Sequence, residues 1–226
     1  DTFAHDRTTG ATTRISVDSS GNQADASPGL DVPSALSADG RYVAFSSPAT
    51  NLVAGDTNGQ WDVFVHDRTT GATTRISVDS SGNQGDGNSW VPSISDDGRF
   101  VVFESAATNL VTGDSNAAPD IYLRDRQAGT TAIVSLAFGG EQGAHRSQSP
   151  FISRDGRFVT FGTSSPDLVP ADSNVFRDIF VRDRTGGPTF VDLCDPGTGG
   201  VLACPCGNPP SAAGRGCDNS AATGGA

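Results

Sequence analysis

Two residue types are missing from this 226-residue chain altogether: it has no methionine and no lysine. Without methionine, Asp1 does not read as a translation start, and the chain reads as a mature or trimmed piece of something longer. Without lysine, all 15 side-chain cations are arginines, set against 26 acids, for a formal net charge of −11. That balance excludes a general nucleic-acid partner, because phosphate demands a basic face. Glutamate is nearly absent too: Glu104 and Glu141 stand alone among aspartates. Acidic helices favour Glu, whereas Asp belongs in turns and in loops that hold hard cations. No apolar run is long enough to span a bilayer, so no membrane span is expected. No cysteine precedes residue 194, so any disulfide belongs to the far end of the chain.

What is abundant is glycine (28) and proline (13), which favour turns over long helices, and repetition. Residues 5–23, HDRTTGATTRISVDSSGNQ, recur letter for letter at 66–84. Three longer units align at a fixed spacing. SADGRYVAFSSPATNLVAGDTNGQWDVFVHDRTTG covers 37–71, SDDGRFVVFESAATNLVTGDSNAAPDIYLRDRQAG covers 95–129, and SRDGRFVTFGTSSPDLVPADSNVFRDIFVRDRTGG covers 153–187. Repetition of this length signals stacked supersecondary units that bury their faces against one another.

Each unit resolves into four short strands. A strand such as VPSIS enters an Asp-Gly turn (Asp39-Gly40, Asp97-Gly98, Asp155-Gly156), the chemistry of a tight hairpin. The next strand, RFVVF, is apolar on both faces, as expected of a strand sandwiched between sheets. A long loop, a DVFV or DIYL strand, a Thr/Gly turn and a TTRISV strand complete the set. Four antiparallel strands per repeat describe a propeller blade.

The SxDGRxVxF run followed by DVFVxDRxTG resembles the WD-like, TolB-type β-propeller repeat of bacterial exported proteins. The resemblance covers residues 1–193 and implies an all-β fold. Half a blade (1–17) is expected first, then full blades at 18–79, 80–136 and 137–193, then a Cys-rich Gly/Pro tail at 194–226. The repeats exceed the usual blade of about 40–45 residues, and the surplus is expected in the loop before the third strand.

That loop reads GDTNGQWD, GDSNAAPD and ADSNVFRD in turn. Asp56, Asn58 and Asp62 recur as Asp114, Asn116 and Asp120 and again as Asp172, Asn174 and Asp178. In a tightly wound loop these oxygens converge, joined by the backbone carbonyls of Gln60, Ala118 and, in the third loop, Arg177. Oxygen donors without His or Cys suit Ca²⁺, which is expected here as a structural ion. The competing reading is a metal-free Asx turn. Asn51, Asn109 and Asp167 in the preceding turn are expected to shape it rather than to ligate. Asp1 aligns with Asp62, the last position of such a loop.

Residues suggesting catalysis obey the repeat or stand alone. His5 and His66 are replaced by Arg124 and Arg182 in the later units, and His145 sits in a connection. The Asp-Arg pairs at 6–7, 67–68, 125–126 and 183–184 read as ties between strands or blades. No G-x-S-x-G elbow is present. Trp61 and Trp90 are unique to their repeats and would either stack on a sugar or fill a gap between blades.

After FVDL the chain turns to Gly, Pro, Ala and Ser around Cys194, Cys204, Cys206 and Cys217. Two disulfides are expected, with Cys194–Cys204 and Cys206–Cys217 favoured, because a Cys204–Cys206 bond would be strained. Zinc is the rival reading. The CPCGN…GRGCDNS run is similar to a Cys-rich segment near the C-termini of large secreted proteins of planctomycete-like bacteria, which implies export. The expectation is a secreted or cell-surface, non-enzymatic structural or adhesive protein. It would be stabilised by Ca²⁺ and self-associate head to tail into a filament, half blades being completed by neighbouring copies. The alternatives are a closed propeller binding carbohydrate or a surface protein, and the propeller portion of a hydrolase.

Overall fold

The computed structural model describes residues 1–27, 33–137, 140–169 and 176–185. Within them the chain is all strand and turn. β1 (Phe3–His5) and β2 (Thr12–Arg14) pair as a two-stranded sheet. β3 (Ala35–Leu36), β4 (Tyr42–Ser47), β5 (Asp62–Asp67) and β6 (Thr73–Arg75) form a four-stranded antiparallel meander. β7 (Ser89–Ile94), β8 (Phe100–Ser105), β9 (Asp120–Asp125) and β10 (Thr130–Ile133) form the next. β11 (Ser147–Ile152), β12 (Phe158–Thr163) and β13 (Asp178–Asp183) make the last described sheet. The expected fourth strand there, and the cysteines with it, lie outside the described residues.

The meanders are blades because they stack face to face. On β4, Val43 and Phe45 point back toward Ile15 of the preceding sheet, while Ala44 points forward with Val63 and Val65 of β5. That forward face meets Val101, Phe103 and Tyr122 of the next blade. Its own far face, Val102, Ile121 and Leu123, meets Ile152, Val159 and Phe161. A strand buried on both sides needs consecutive apolar residues, which is why VVF and IYL do not alternate with polar ones. Each fully buried aliphatic or aromatic side chain contributes about 2 kcal/mol against exposure, and a ladder hydrogen bond about 1 kcal/mol. Stacking therefore outweighs strand pairing in ordering the blades.

Register repeats with the sequence. Phe45 lies opposite Phe64, Phe103 opposite Tyr122 and Phe161 opposite Phe180, each pair stacked at 5.8–6.0 Å between ring centroids. The first strands of successive blades converge on an axis, where the Asp96 N–H donates to the Arg154 carbonyl (2.9 Å) and the Ile152 N–H to Ser93 Oγ (3.2 Å). Both β7 and β11 carry a bulge, between Trp90 and Ser93 and between Gln148 and Phe151. Each bulge holds a proline, Pro92 or Pro150, which has no N–H to give the ladder.

Two expectations change in detail. The Asp-Gly turn is longer than a two-residue hairpin: the Ser37 N–H donates to the Tyr42 carbonyl (2.9 Å) across it, the Gly40 N–H donates to the Ser37 carbonyl (2.9 Å), and Gly40, closing that inner turn, has positive φ. The surplus length, expected in one loop, is divided between two places. Besides the loop before the third strand, residues 76–88 form a small hairpin closed by a Val78–Gln84 bridge. These hairpins dock on the outer strand of the following blade. Thr73 Oγ1 donates to the Val17 carbonyl (2.6 Å) and Thr131 Oγ1 to that of Val78 (2.5 Å). An edge strand that would otherwise offer free backbone groups is thereby covered.

Candidate functional site

Two sets of repeated polar side chains occupy opposite ends of the blades. At the Asp-Gly end, Arg41 binds Asp67 through both carboxylate oxygens (2.9 and 2.7 Å), and Arg99–Asp125 and Arg157–Asp183 repeat the fork. The partner hydrogen bonds hold these carboxyls well below the usual carboxylate range. The adjacent Asp and Arg therefore do not pair with each other. Arg68, Arg126 and Arg184 instead donate to the carbonyls of Gly40, Gly98 and Gly156.

The arginine after the Asp also reaches between blades. The Arg126 guanidinium lies 4.4 Å from the centroid of Tyr42 in the preceding blade, and Arg184 lies 4.0 Å from that of Phe100. Arg41 and Arg99 cover the same rings at 4.7 and 4.6 Å, so each ring is engaged by two guanidinium groups. The turn glycine makes this possible: a Cβ on Gly98 would stand 2.1 Å from Tyr42 Cδ2, and one on Gly156 2.4 Å from Phe100 Cδ2. The pairing of Gly with Arg at Gly98–Arg126 and Gly156–Arg184 is thus an interblade device, which the sequence pattern alone had suggested only as a tie.

At the other end lie the candidate cation loops. In loop 55–62 Asn58 turns its amide nitrogen to Asp62 Oδ2 (3.0 Å) and the Gly85 carbonyl (2.9 Å), while its oxygen accepts from the Gln60 N–H (3.0 Å). Asn116 repeats this with Asp120 (2.9 Å), Gly143 (2.8 Å) and Ala118 (3.0 Å). Both are Asx turns, and both present a nitrogen where a cation would need oxygen. The second Asp of each loop is completely buried and accepts from a serine of the fourth-strand run, Ser77 to Asp62 (2.5 Å) and Ser135 to Asp120 (2.7 Å). Burial pushes Asp56 and Asp62 up, and Asp120 up to about 6.

The loops differ in how the first Asp is satisfied. Arg75 stands 3.4 Å from Asp56 Oδ2 and 3.6 Å from Asp62 Oδ2 and donates to Gln84 Oε1. In loop 113–120 the matching residue is Ile133, and Asp114 is held by the Tyr122 hydroxyl and by Gln142 Nε2 (3.0 Å). Loop 113–120 thus holds two carboxylates with neutral donors. Loop 55–62, by contrast, already contains a cation. Among the described residues no three His, Cys, Asp or Glu side chains cluster for a metal. Asp172 and Asn174 lie outside the described residues, and Asp178 opens β13.

Arg75, Ser77, Gln84 and their counterparts escaped sequence reasoning. The signal was present in the serine of ISV and VSL and the glutamine of GNQ and GEQ, which recur beside the loops only once the chain is folded. Asn51 and Asn109, expected to shape their turn, tie it to the end of the preceding hairpin. Asn51 accepts from the Asp25 N–H (3.0 Å) and donates to the Gln23 carbonyl (2.8 Å), and Asn109 does the same with Asp86 and Gln84. The histidines have fold partners: His5 with Thr12, His66 with Thr73, His145 with the Ser164 carbonyl. Trp61 and Trp90 are half-buried. The Trp61 backbone N–H donates to Asn88 Oδ1 (2.8 Å) and its carbonyl accepts from Ser89 (2.7 Å).

The stacked four-stranded meanders converging on an axis define a partial β-propeller. No family model matches the chain, and no curated protein does. Among solved structures it is similar to TolB from Acinetobacter baumannii, at 22% identity and a TM-score of 0.46 over 82% of this chain. It is also similar to the β-propeller domain of the Trilobed protease from Pyrococcus furiosus, at 14% identity and a TM-score of 0.43 over 70%. A prolyl endopeptidase structure matches at 18% identity and a TM-score of 0.48 over 83%. The chain spans 35%, 40% and 25% of those proteins respectively.

Proposed function

We propose that this chain is a non-catalytic, exported structural repeat protein whose blades stack face to face within one copy and between copies. The observation that carries the reading is the fate of equivalent positions. Phe64 and Ile121 are completely buried between blades, yet their counterparts Phe3 and Ile179 on the two end sheets are 54% and 69% exposed. These faces carry the same apolar pattern that mates in the interior, so any blade of this pattern, a second copy's included, offers a complementary surface. A contact of this kind runs head to tail and extends into a filament. The polar side chains that repeat tie strands within a blade, as Arg41 does with Asp67, and blades to one another, as Arg126 does with Tyr42, which suits a durable scaffold. The Cys-rich tail fits an extracellular setting, and Ca²⁺ at Asp114, Asn116 and Asp120 would fix the second loop.

Light scattering and electron microscopy of the purified chain in millimolar CaCl₂ test the reading. Elongated assemblies that dissociate in Phe3→Asp or Ile179→Asp support it. A monomer at all concentrations refutes it.

A further inference from the structure

In the two fully described loops an aspartate stands at each end, and the two repeats satisfy the pair differently. In loop 55–62 the Arg75 side chain, 7% exposed, stands beside Asp56 and Asp62, 3% and 0% exposed, and is fixed from its far side by Gln84. The two-stranded sheet repeats the arrangement: Arg14 lies 3.6 Å from Asp1 and donates to Gln23 Oε1 (3.0 Å), and Gln23 donates to Asp1 (3.1 Å). In the β7–β10 blade three linked changes replace it. Ile133 stands where Arg75 was, Tyr122 where Phe64 was, and the Gln142 nitrogen donates to Asp114 Oδ1 (3.0 Å) where that of Gln84 donates to Thr57 Oγ1 (2.7 Å), while both glutamine oxygens accept a loop N–H, from Ser115 and from Thr57.

We propose that Arg75 is the resident cation of loop 55–62, occupying the place a divalent ion would take and closing this loop without metal. The guanidinium and a divalent ion exclude one another, since both need the same two carboxylates and repel at that separation. The repeat that carries isoleucine has no such internal charge. The chain therefore mixes a self-neutralised loop with one open to an external cation. The second half of that contrast rests on the calcium reading above; the role of Arg75 does not.

Amide hydrogen exchange of the full chain, in CaCl₂ and in EDTA, separates the two. In the wild type, exchange across 55–62 is expected to be the same in both media. Arg75→Met is expected to speed exchange in that loop about tenfold or more, the loss of a charge-assisted contact, while Arg75→Lys keeps part of the protection. The double variant Ile133→Arg with Tyr122→Phe rebuilds the first arrangement in the second loop and is expected to make 113–120 indifferent to calcium. Protection of wild-type 55–62 that rises in calcium overturns the proposal and needs no variant to fold. So does an Arg75→Met loop that exchanges like the wild type. If neither wild-type loop responds to calcium while Arg75→Met still opens 55–62, the calcium reading fails and the role of Arg75 is supported.

Discussion

Asp120→Asn should stabilise this protein at neutral pH. Asp120 is completely buried, and desolvation lifts its carboxyl to about 6 from the ordinary 3.8, more than Ser135, Asn116 and any other donor lower it. Asp114 adds a like charge nearby. A raised acid is penalised in its charged form, so the folded chain holds this proton over a pH range in which the unfolded chain has released it. Stability from this group is therefore highest below about pH 4, declines as pH rises to about 6, and stays lower above it. About two pKa units at 1.36 kcal/mol each make the penalty about 3 kcal/mol at pH 7.5. Asparagine keeps the shape, accepts from Asn116 with its oxygen and donates to Ser135 Oγ, and carries no charge. Urea unfolding in EDTA should show Asp120→Asn more stable by up to about 3 kcal/mol at pH 7.5, or about 5–10 °C in melting temperature, an advantage that falls to about 1 kcal/mol at pH 4.5. A variant destabilised by the same amount at both pH values would refute the reasoning, since the carboxylate would then be a net favourable partner of Ser135 and Asn116. In calcium the advantage should shrink or reverse, because the substitution removes a candidate ligand.

The other expectations concern ties within and between blades. Gly98→Ala places a methyl against the Tyr42 ring at a backbone φ of +70° and should cost about 2–4 kcal/mol in urea unfolding. Asp125, drawn down to about 2 chiefly by Arg99, contributes stability above its unfolded pKa that is lost as pH falls through the acid range. Because Arg99 is more than a third exposed, Asp125→Asn should lose only about 1 kcal/mol at pH 7 and flatten the acid limb below pH 4. Thr131→Val removes the donor to the Val78 carbonyl and the acceptor of Arg124 (2.9 Å); hydrogen exchange in the 76–88 hairpin should rise, with a cost of about 1–2 kcal/mol. Unchanged exchange there would show that the hairpin is held by its own turn.

Much of the architecture was readable before folding. Apolar runs such as RFVVF announce burial on both faces, Asp-Gly marks the turns, and identical segments at a fixed spacing require identical units. The loops were harder. Asp56, Asn58 and Asp62 are the right residues at the right spacing for a cation, but spacing does not say which atom of an amide faces inward. Nor does it reveal that Arg75, in a strand beyond the next turn, arrives beside two of them. Likewise Asp67-Arg68 looks like a pair because its members are neighbours, yet successive residues of an extended chain point to opposite sides and each finds a partner elsewhere.

The linear order of residues, then, determined local conformation and period: four strands, two turn chemistries and a doubly buried face, since these depend on neighbours within a few positions. The folded molecule alone decided how charge is balanced, because a guanidinium, a phenol or an ion reaches a buried carboxylate through space. Stacking brings Tyr42 under Arg126 and strand pairing sets Arg75 beside Asp56, contacts that separation along the chain conceals.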